Sequence, residues 1–301
     1  MPQPERIAIV GAGLMGNGIA AVFASRGHDV TLYDPLPAAL EAAPARIRTV
    51  LSDLGWDPAA LDRVSFQTKL ESAVQDADFV TEAAPEKLAL KQELFVRISE
   101  STGPECLLAS NTSVIPIGQI GARMKDAGRL LGTHWWNPPY LIPLVEVVQA
   151  ERTEPRWIAK CMDLLQRAGK RPVHVKKDVP GFVGNRLQHA LWREAIALVD
   201  AGVCDASTVD QVVKNSFGIR LPVLAPLENA DLVGLDLTED IHNVILPHLS
   251  RGERPSPILC EKVRAGELGM KSGKGFYDWT PEKADEVRTR LVNHLRSVLK
   301  P

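Results

Sequence analysis

A chain of 301 residues, 45% hydrophobic and 24% charged, is long enough for two domains with sizeable cores and has the composition of a globular protein. Its formal net charge of -2, with Lys and Arg scattered, argues against nucleic acid or an anionic membrane as partner. No run approaches the ~20 apolar residues of a membrane span, and the first residues lack the apolar segment of a signal peptide.

The first predicted element is a short buried strand over residues 7–10, Ile-Ala-Ile-Val. A glycine turn, Gly11-Ala12-Gly13-Leu14-Met15-Gly16, follows it, then a helix over 17–26 closed by Gly27. A second strand over 30–33 ends at Asp34, completing a βαβ unit of about thirty residues. In such a unit Gly11 permits the tight turn, Gly13 lets the backbone approach a pyrophosphate, and Gly16 lets helix and strand pack closely. The helix N-terminus offers free N–H groups to the phosphates. Asp34 stands where an acid accepts hydrogen bonds from the adenosine ribose and repels a 2′-phosphate. Pro35-Leu36-Pro37 follows it, with no arginine, so the expected cofactor is NAD rather than NADP.

Helices are predicted over 37–54 and 87–99, and strands over 79–81, 107–109, 129–132 and 144–148, with a late edge strand over 172–176. The alternation implies an α/β fold with a doubly wound, Rossmann-type sheet. His134 sits at the end of one apolar run and Glu146, twelve residues later, inside the next. Paired, they form an imidazole tuned by a carboxylate, equipment for moving a proton. Taken singly each has a plainer reading: a satisfied buried histidine, and a buried structural acid.

From Gly181 the texture turns helical, with helices predicted over 185–201, 205–216, 235–249 and 281–299. The boundary near Asp178-Val179-Pro180-Gly181 divides the chain into a NAD-binding domain, 1–179, and a smaller all-helical substrate and dimerisation domain, 180–301. Cys106, Cys161, Cys204 and Cys260 have neither C-x-x-C pairing nor metal-ligand spacing, so no metal is expected, and reduced thiols suit a cytoplasmic location.

Five segments in order resemble the L-3-hydroxyacyl-CoA dehydrogenases and their relatives that act on free hydroxy acids, such as gulonate and carnitine dehydrogenases. They are the turn at Gly11–Gly16, Ser110-Asn111-Thr112-Ser113, the stretch from His134 to Glu146, Asp178-Val179-Pro180-Gly181-Phe182-Val183-Gly184-Asn185-Arg186, and Lys271-Ser272-Gly273-Lys274-Gly275-Phe276-Tyr277. The resemblance implies that His134 is the general base and that Glu146 orients it. It implies that Ser113 and Asn185 hydrogen-bond the reacting oxygen or a nearby substrate group. Glu86 and Lys91 would touch the ribose and phosphate side of NAD, and Asp34 the adenosine ribose. Asn111 and Asn137 would complete the cofactor site, and Leu14 and Met15 belong to its turn. Alone, Ser113 and Asn185 read equally as helix caps. Members of this family are expected to pair as homodimers through the helical domain, which is also the reading given to residues 271–277.

The implied reaction interconverts an L-3-hydroxyacyl substrate, as its CoA thioester in fatty-acid metabolism, with the 3-keto form. The alternative is the same chemistry on a small free hydroxy acid or alcohol. Two departures bear on that choice. CoA-using members carry lysines for the CoA phosphates in a hairpin after the second strand, whereas residues 40–63 contain no lysine and only Arg46, Arg48 and Arg63 as cations. Where those members read two phenylalanines after the base, this chain reads Trp135-Trp136-Asn137-Pro138-Pro139-Tyr140. The stretch Phe217-Gly218-Ile219-Arg220-Leu221-Pro222 also resembles the free-acid relatives, with Arg220 read either as a clamp for a substrate carboxylate or as a surface arginine. A third reading, a NAD-binding relative without turnover, is opposed by the intact set of Ser113, His134, Glu146 and Asn185.

Overall fold

The computed structural model describes residues 4–298. Eight strands, β1 (Arg6–Val10), β2 (Asp29–Tyr33), β3 (Val64–Gln67), β4 (Phe79–Glu82), β5 (Leu107–Ser110), β6 (Leu130–Trp135), β7 (Leu144–Val148) and β8 (Arg171–Val175), form one sheet ordered β3-β2-β1-β4-β5-β6-β7-β8. The first six in sequence run parallel, while β7 pairs antiparallel with β6 and parallel with β8. The helices around the sheet are α1 (Leu14–Ser25), α2 (Pro37–Leu54), α3 (Leu70–Val74), α4 (Leu88–Ser101), α5 (Ile117–Ile120) and α6 (Pro155–Arg167). This is the Rossmann-type architecture expected from the alternation, extended by an antiparallel pair.

Both faces of the sheet are covered, which is why its strands read as unbroken apolar runs. Ile7 and Ile9 of β1 pack into a cluster with Ile19, Val22 and Phe23 of α1 and Trp157, Leu164 and Leu165 of α6. Ala8 and Val10, pointing the other way, join Leu94, Phe95 and Ile98 of α4. The strand order reverses between β1 and β4, so the C-terminal ends of the parallel strands open a crevice at that switch point. The turn at residues 11–16, Asp34, Glu82 and Asn111 all lie at those ends.

Three differences from the sequence reading have physical reasons. β3 escapes it because Val-Ser-Phe-Gln is a half-buried edge strand with only two apolar residues. α6 was legible, since Trp157, Ile158, Cys161, Leu164 and Leu165 line one helical face, and a parallel β7–β8 pair requires such a crossover. β6 runs on to Trp135, so His134 lies within the strand rather than beyond it.

The chain divides into two compact units, one running through Arg186 and taking in Val298, the other spanning Leu187–Ser297. The second is helical: most of α7 (Gly184–Asp200), then α8 (Ala206–Asn215), α9 (Pro226–Val233), α10 (Leu235–Ile245), α11 (Pro257–Arg264) and α12 (Pro281–Val298). Asp205 caps α8 by accepting from the Thr208 N–H at 2.7 Å. α9 and α11, eight residues each and both opening on proline, went unread in the sequence because so short a span shows little periodicity. Residues 271–277 turn back on themselves through bridges of Lys274 with Gly269 and Asp278, and the Tyr277 hydroxyl donates to Asp210 at 2.8 Å. Among the described residues no helix is long and apolar enough to cross a membrane.

Candidate active site

The glycine turn is shaped by close approach. A Cβ on Gly16 would lie 1.8 Å from the Gly11 carbonyl oxygen, and one on Gly11 would lie 2.8 Å from that of Ala83, with Gly11 at φ +116°. A Cβ on Gly13 would meet nothing within 4 Å, which leaves the backbone there open to a ligand. α1 starts with no side-chain cap and no acid in its first turn, so its leading N–H groups remain for an anion. Asn17, which the sequence reading passed over, donates from Nδ2 to the carbonyls of Ala12 at 2.7 Å and Gly13 at 2.8 Å and so fixes the turn from below. Asp34 accepts from the Ala12 N–H at 2.9 Å and the Leu36 N–H at 3.0 Å, which places its carboxylate beside the turn. These features fit a dinucleotide: an open backbone for its pyrophosphate and an acid for its ribose.

His134 and Glu146 are direct cross-strand partners in the antiparallel β6–β7 pair, and His134 Nδ1 lies 2.7 Å from Glu146 Oε2. Both are buried, at 4% and 1% exposure. The other carboxylate oxygen of Glu146 accepts from the N–H groups of Val183 at 2.9 Å and Gly184 at 3.0 Å, where α7 begins. Burial by itself raises the Glu146 carboxyl; the His134 hydrogen bond and the two backbone donors more than reverse this and hold it below its ordinary value. An ionised Glu146 makes Nδ1 the protonated nitrogen and leaves the lone pair on Nε2. The imidazole is flanked by the rings of Trp136 and Phe182, with centroids 5.1 and 5.7 Å away. Gly184 is required for that wall, since its Cβ would lie 2.4 Å from Trp136 Cζ2. Phe182 adopts φ 50°, uncommon for a bulky residue, in the turn that brings the Val183 and Gly184 donors to Glu146.

The remaining expected residues fall into connected groups. Asn185 Nδ2 donates to the Ser113 carbonyl at 2.9 Å, which joins the start of α7 to the segment after β5. Glu86 accepts from the Thr112 hydroxyl and from the N–H groups of Ser113 at 3.0 Å and Val114 at 3.2 Å, so it shapes the same segment. Asn111 accepts from the Trp135 N–H at 3.0 Å, tying the ends of β5 and β6. Asn137 is exposed, as is Leu14, while Met15 is half-buried.

Lys91 lies in the interior. It is fully buried, and its ammonium is taken up by Glu82 at 2.7 Å, the Ala84 carbonyl at 3.2 Å and Glu86 at 3.3 Å. A cation held by two carboxylates and a carbonyl is enclosed by the fold. Glu82 itself was not singled out in the sequence, although an acid closing the apolar run of β4 was a visible sign. It also accepts from the Ser110 hydroxyl at 2.6 Å and the Ala84 N–H at 2.6 Å, and so braces the ends of β4 and β5 together.

Comparison with known proteins places this geometry. Residues 6–179 match the family model described as 3-hydroxyacyl-CoA dehydrogenase, NAD binding domain, and residues 181–279 match that described as 3-hydroxyacyl-CoA dehydrogenase, C-terminal domain. The chain is 38% identical over 299 residues to 5-formyl-3-hydroxy-2-methylpyridine 4-carboxylate 5-dehydrogenase of Mesorhizobium japonicum, covering 98% of this chain and 97% of that protein. A crystal structure of an enzyme of that name, described as an NAD+-dependent dismutase, superposes with a TM-score of 0.91 over 98% of this chain and 97% of the other, at 38% identity. L-carnitine dehydrogenase of Streptomyces coelicolor is 41% identical over 244 residues, 78% of this chain and 76% of that protein. A probable 3-hydroxybutyryl-CoA dehydrogenase of Bacillus subtilis is 38% identical over 284 residues, 91% of this chain and 97% of that one.

Proposed function

We propose that this chain, which belongs to the 3-hydroxyacyl-CoA dehydrogenase family, uses its NAD-dependent chemistry on a small free acid carrying the reacting hydroxyl, without a CoA carrier. The chain is an oxidoreductase acting on CH–OH groups with NAD as cofactor. What supports the free acid is the segment after β2. It carries three cations, Arg46, Arg48 and Arg63, and no lysine over residues 40–63; Arg63 pairs with Asp29 at 3.1 Å and Arg46 donates to the Ala12 carbonyl at 3.4 Å. Phosphate recognition needs several cations or free N–H groups.

In this reading His134 Nε2 takes the hydroxyl proton as the C–H electron pair departs as hydride and the C=O bond forms. When bound, NAD supplies the hydride acceptor. Glu146 holds the imidazole in one tautomer and stabilises the imidazolium that results. Ser113 and Asn185 hydrogen-bond the reacting oxygen or a neighbouring group, and Asn137 and Asn111 seat the nicotinamide side. Asp34 and the 11–16 turn hold the adenosine and pyrophosphate. Arg220, which is exposed, is the cation that the likeness to free-acid relatives offers for a substrate carboxylate.

We assign residues 1–179 to cofactor binding and 180–301 to substrate and dimer formation. In support, α7 through α11 bury no residue fully, while Leu187, Trp192, Val212, Leu227 and Leu232 are exposed. Light scattering should give twice the chain mass; a monomer mass overturns the dimer. The four free cysteines fit a reducing, cytoplasmic compartment.

The test is NAD reduction with 3-hydroxybutyryl-CoA against carnitine, free 3-hydroxybutyrate and 5-formyl-3-hydroxy-2-methylpyridine 4-carboxylate, the last of which would give its hydride from the hydrate of its aldehyde. A free acid should be preferred, and Arg220→Ala should damage only that activity. Preference for the thioester overturns the free-acid reading, and NAD binding with no turnover on any substrate overturns the enzyme reading.

A further inference from the structure

Lys170 carries an ammonium group that is buried without a carboxylate partner among the described residues. The residue is 8% exposed. Its Nζ donates to the carbonyl oxygens of Pro139 and of Ile142, the latter at 3.0 Å, and lies 5.3 Å from the centroid of the Trp135 ring. Burial, with the Arg26 charge second, pulls this amine down to about 8. Removing an ammonium from water is unfavourable, and an apolar side chain of equal length would occupy the same space without that penalty. The arrangement therefore has a purpose beyond filling volume, and its geometry shows where the grip falls.

Both carbonyls belong to the segment over residues 137–143 that joins β6 to β7. That segment follows His134 and carries Asn137. Its other side is pressed against α1: a Cβ on Gly18 would lie 2.5 Å from Pro139 Cγ and 3.2 Å from Tyr140 Cδ1. The residue after Lys170 adds a third tie, since the Arg171 N–H donates to the Pro143 carbonyl at 2.8 Å. The segment is thus clasped between Lys170 and the helix whose N-terminus faces the dinucleotide phosphates.

Building on the functional reading above, we infer that Lys170 is a positioning residue: by holding the Pro139 and Ile142 carbonyls it sets the 137–143 segment against α1 and keeps Asn137 and the nicotinamide end of bound NAD in register with His134. The adenosine half, held by Asp34 and the glycine turn, does not depend on it.

Two substitutions test this. Lys170→Met keeps the length of the side chain and loses every donor. Lys170→Gln keeps two N–H donors on a shorter, uncharged stem. With whichever substrate the wild-type enzyme prefers, kcat should fall on the order of tenfold to a hundredfold in the Met variant, the scale of a misplaced reacting geometry. The Gln variant should lie between the Met variant and wild type. The dissociation constant for ADP-ribose, which lacks the nicotinamide, should stay within about twofold in all three, because the contacts that hold it are untouched. Wild-type kcat in both variants, or ADP-ribose affinity falling in step with kcat, overturns the inference. Should the Met variant fail to fold, the Gln variant decides by the same readouts. Hydrogen–deuterium exchange over residues 137–143 reads the clasp even if no turnover is found: faster exchange in the variants supports it, and unchanged exchange overturns it. A wild-type chain without turnover but with this exchange signature would sink the functional reading and leave the clasp standing.

Discussion

His134 and Glu146 face each other across the β6–β7 ladder as register partners, and the two side chains close to 2.7 Å within that pairing. An antiparallel partner strand is what allows this. Opposed residues on one face of such a pair have Cβ atoms ~5 Å apart, within reach of an imidazole and a carboxylate. The remaining oxygen of Glu146 is spoken for by the Val183 and Gly184 N–H groups, so the acid is held from two directions.

His134→Gln removes the proposed base while leaving the glycine turn, Asp34 and α1 untouched. Turnover should fall by on the order of 10²–10⁴-fold, the range of general-base catalysis. NAD affinity, followed by quenching of tryptophan fluorescence, should change by less than about threefold since no dinucleotide contact is altered. Equal loss of both would remove His134 from the chemistry.

Glu146→Gln keeps the shape but not the charge, and the expected loss in kcat is about 10²-fold as the imidazolium loses its counter-charge. The same substitution carries a pH signature. Because the native state holds the Glu146 carboxyl below its ordinary value of 4.5, its ionisation stabilises the fold above that value, and the contribution is lost as the pH falls through the lower native value. Urea unfolding at a series of pH values should therefore show the margin of wild type over the variant shrinking as the pH falls below ~4.5. A margin that does not shrink in acid counts against the assignment.

Gly13→Ala and Gly16→Ala should separate binding from folding. A methyl on Gly13 enters open space, so the melting temperature should hold while NAD affinity falls by at least tenfold. A methyl on Gly16 sits 1.8 Å from the Gly11 carbonyl oxygen, so the melting temperature itself should drop. Calorimetry with a dinucleotide titration checks both, and a Gly13→Ala protein that binds NAD normally would mean the pyrophosphate lies elsewhere.

Asp34→Ala combined with Pro35→Arg exchanges a repelling acid for a cation beside the proposed ribose site. The ratio of kcat/KM for NADP over NAD should rise by at least tenfold. The Asp34 carboxylate also receives the Ala12 and Leu36 N–H groups, so the double variant should lose some affinity for both cofactors. An unchanged ratio would place the ribose away from the end of β2.

Much of the frame was readable in advance. The apolar runs of β1, β2, β4, β5 and β7 and the bounds of α2 follow from periodicity and turn residues, which act over a few neighbours. The amphipathic stripe of α6 is equally local, whereas β3 carries too little apolar signal to be found. Lys170 offered no sign at all: a lysine after Gly169 reads as a solvated turn until a segment thirty residues earlier is folded over it.

Sequence by itself determined the strand–turn–helix unit for the dinucleotide, the choice of an acid at its second strand, and the family, because these depend on residue identity at short spacing. Tertiary structure alone decided which polar groups meet. It buried Lys91 between Glu82 and Glu86, brought Asn185 to Ser113, and set the Val183 and Gly184 amides on Glu146. Those contacts join positions far apart along the chain, and a buried charge takes whatever partner the folded interior brings within hydrogen-bonding distance, a matter that no local pattern encodes.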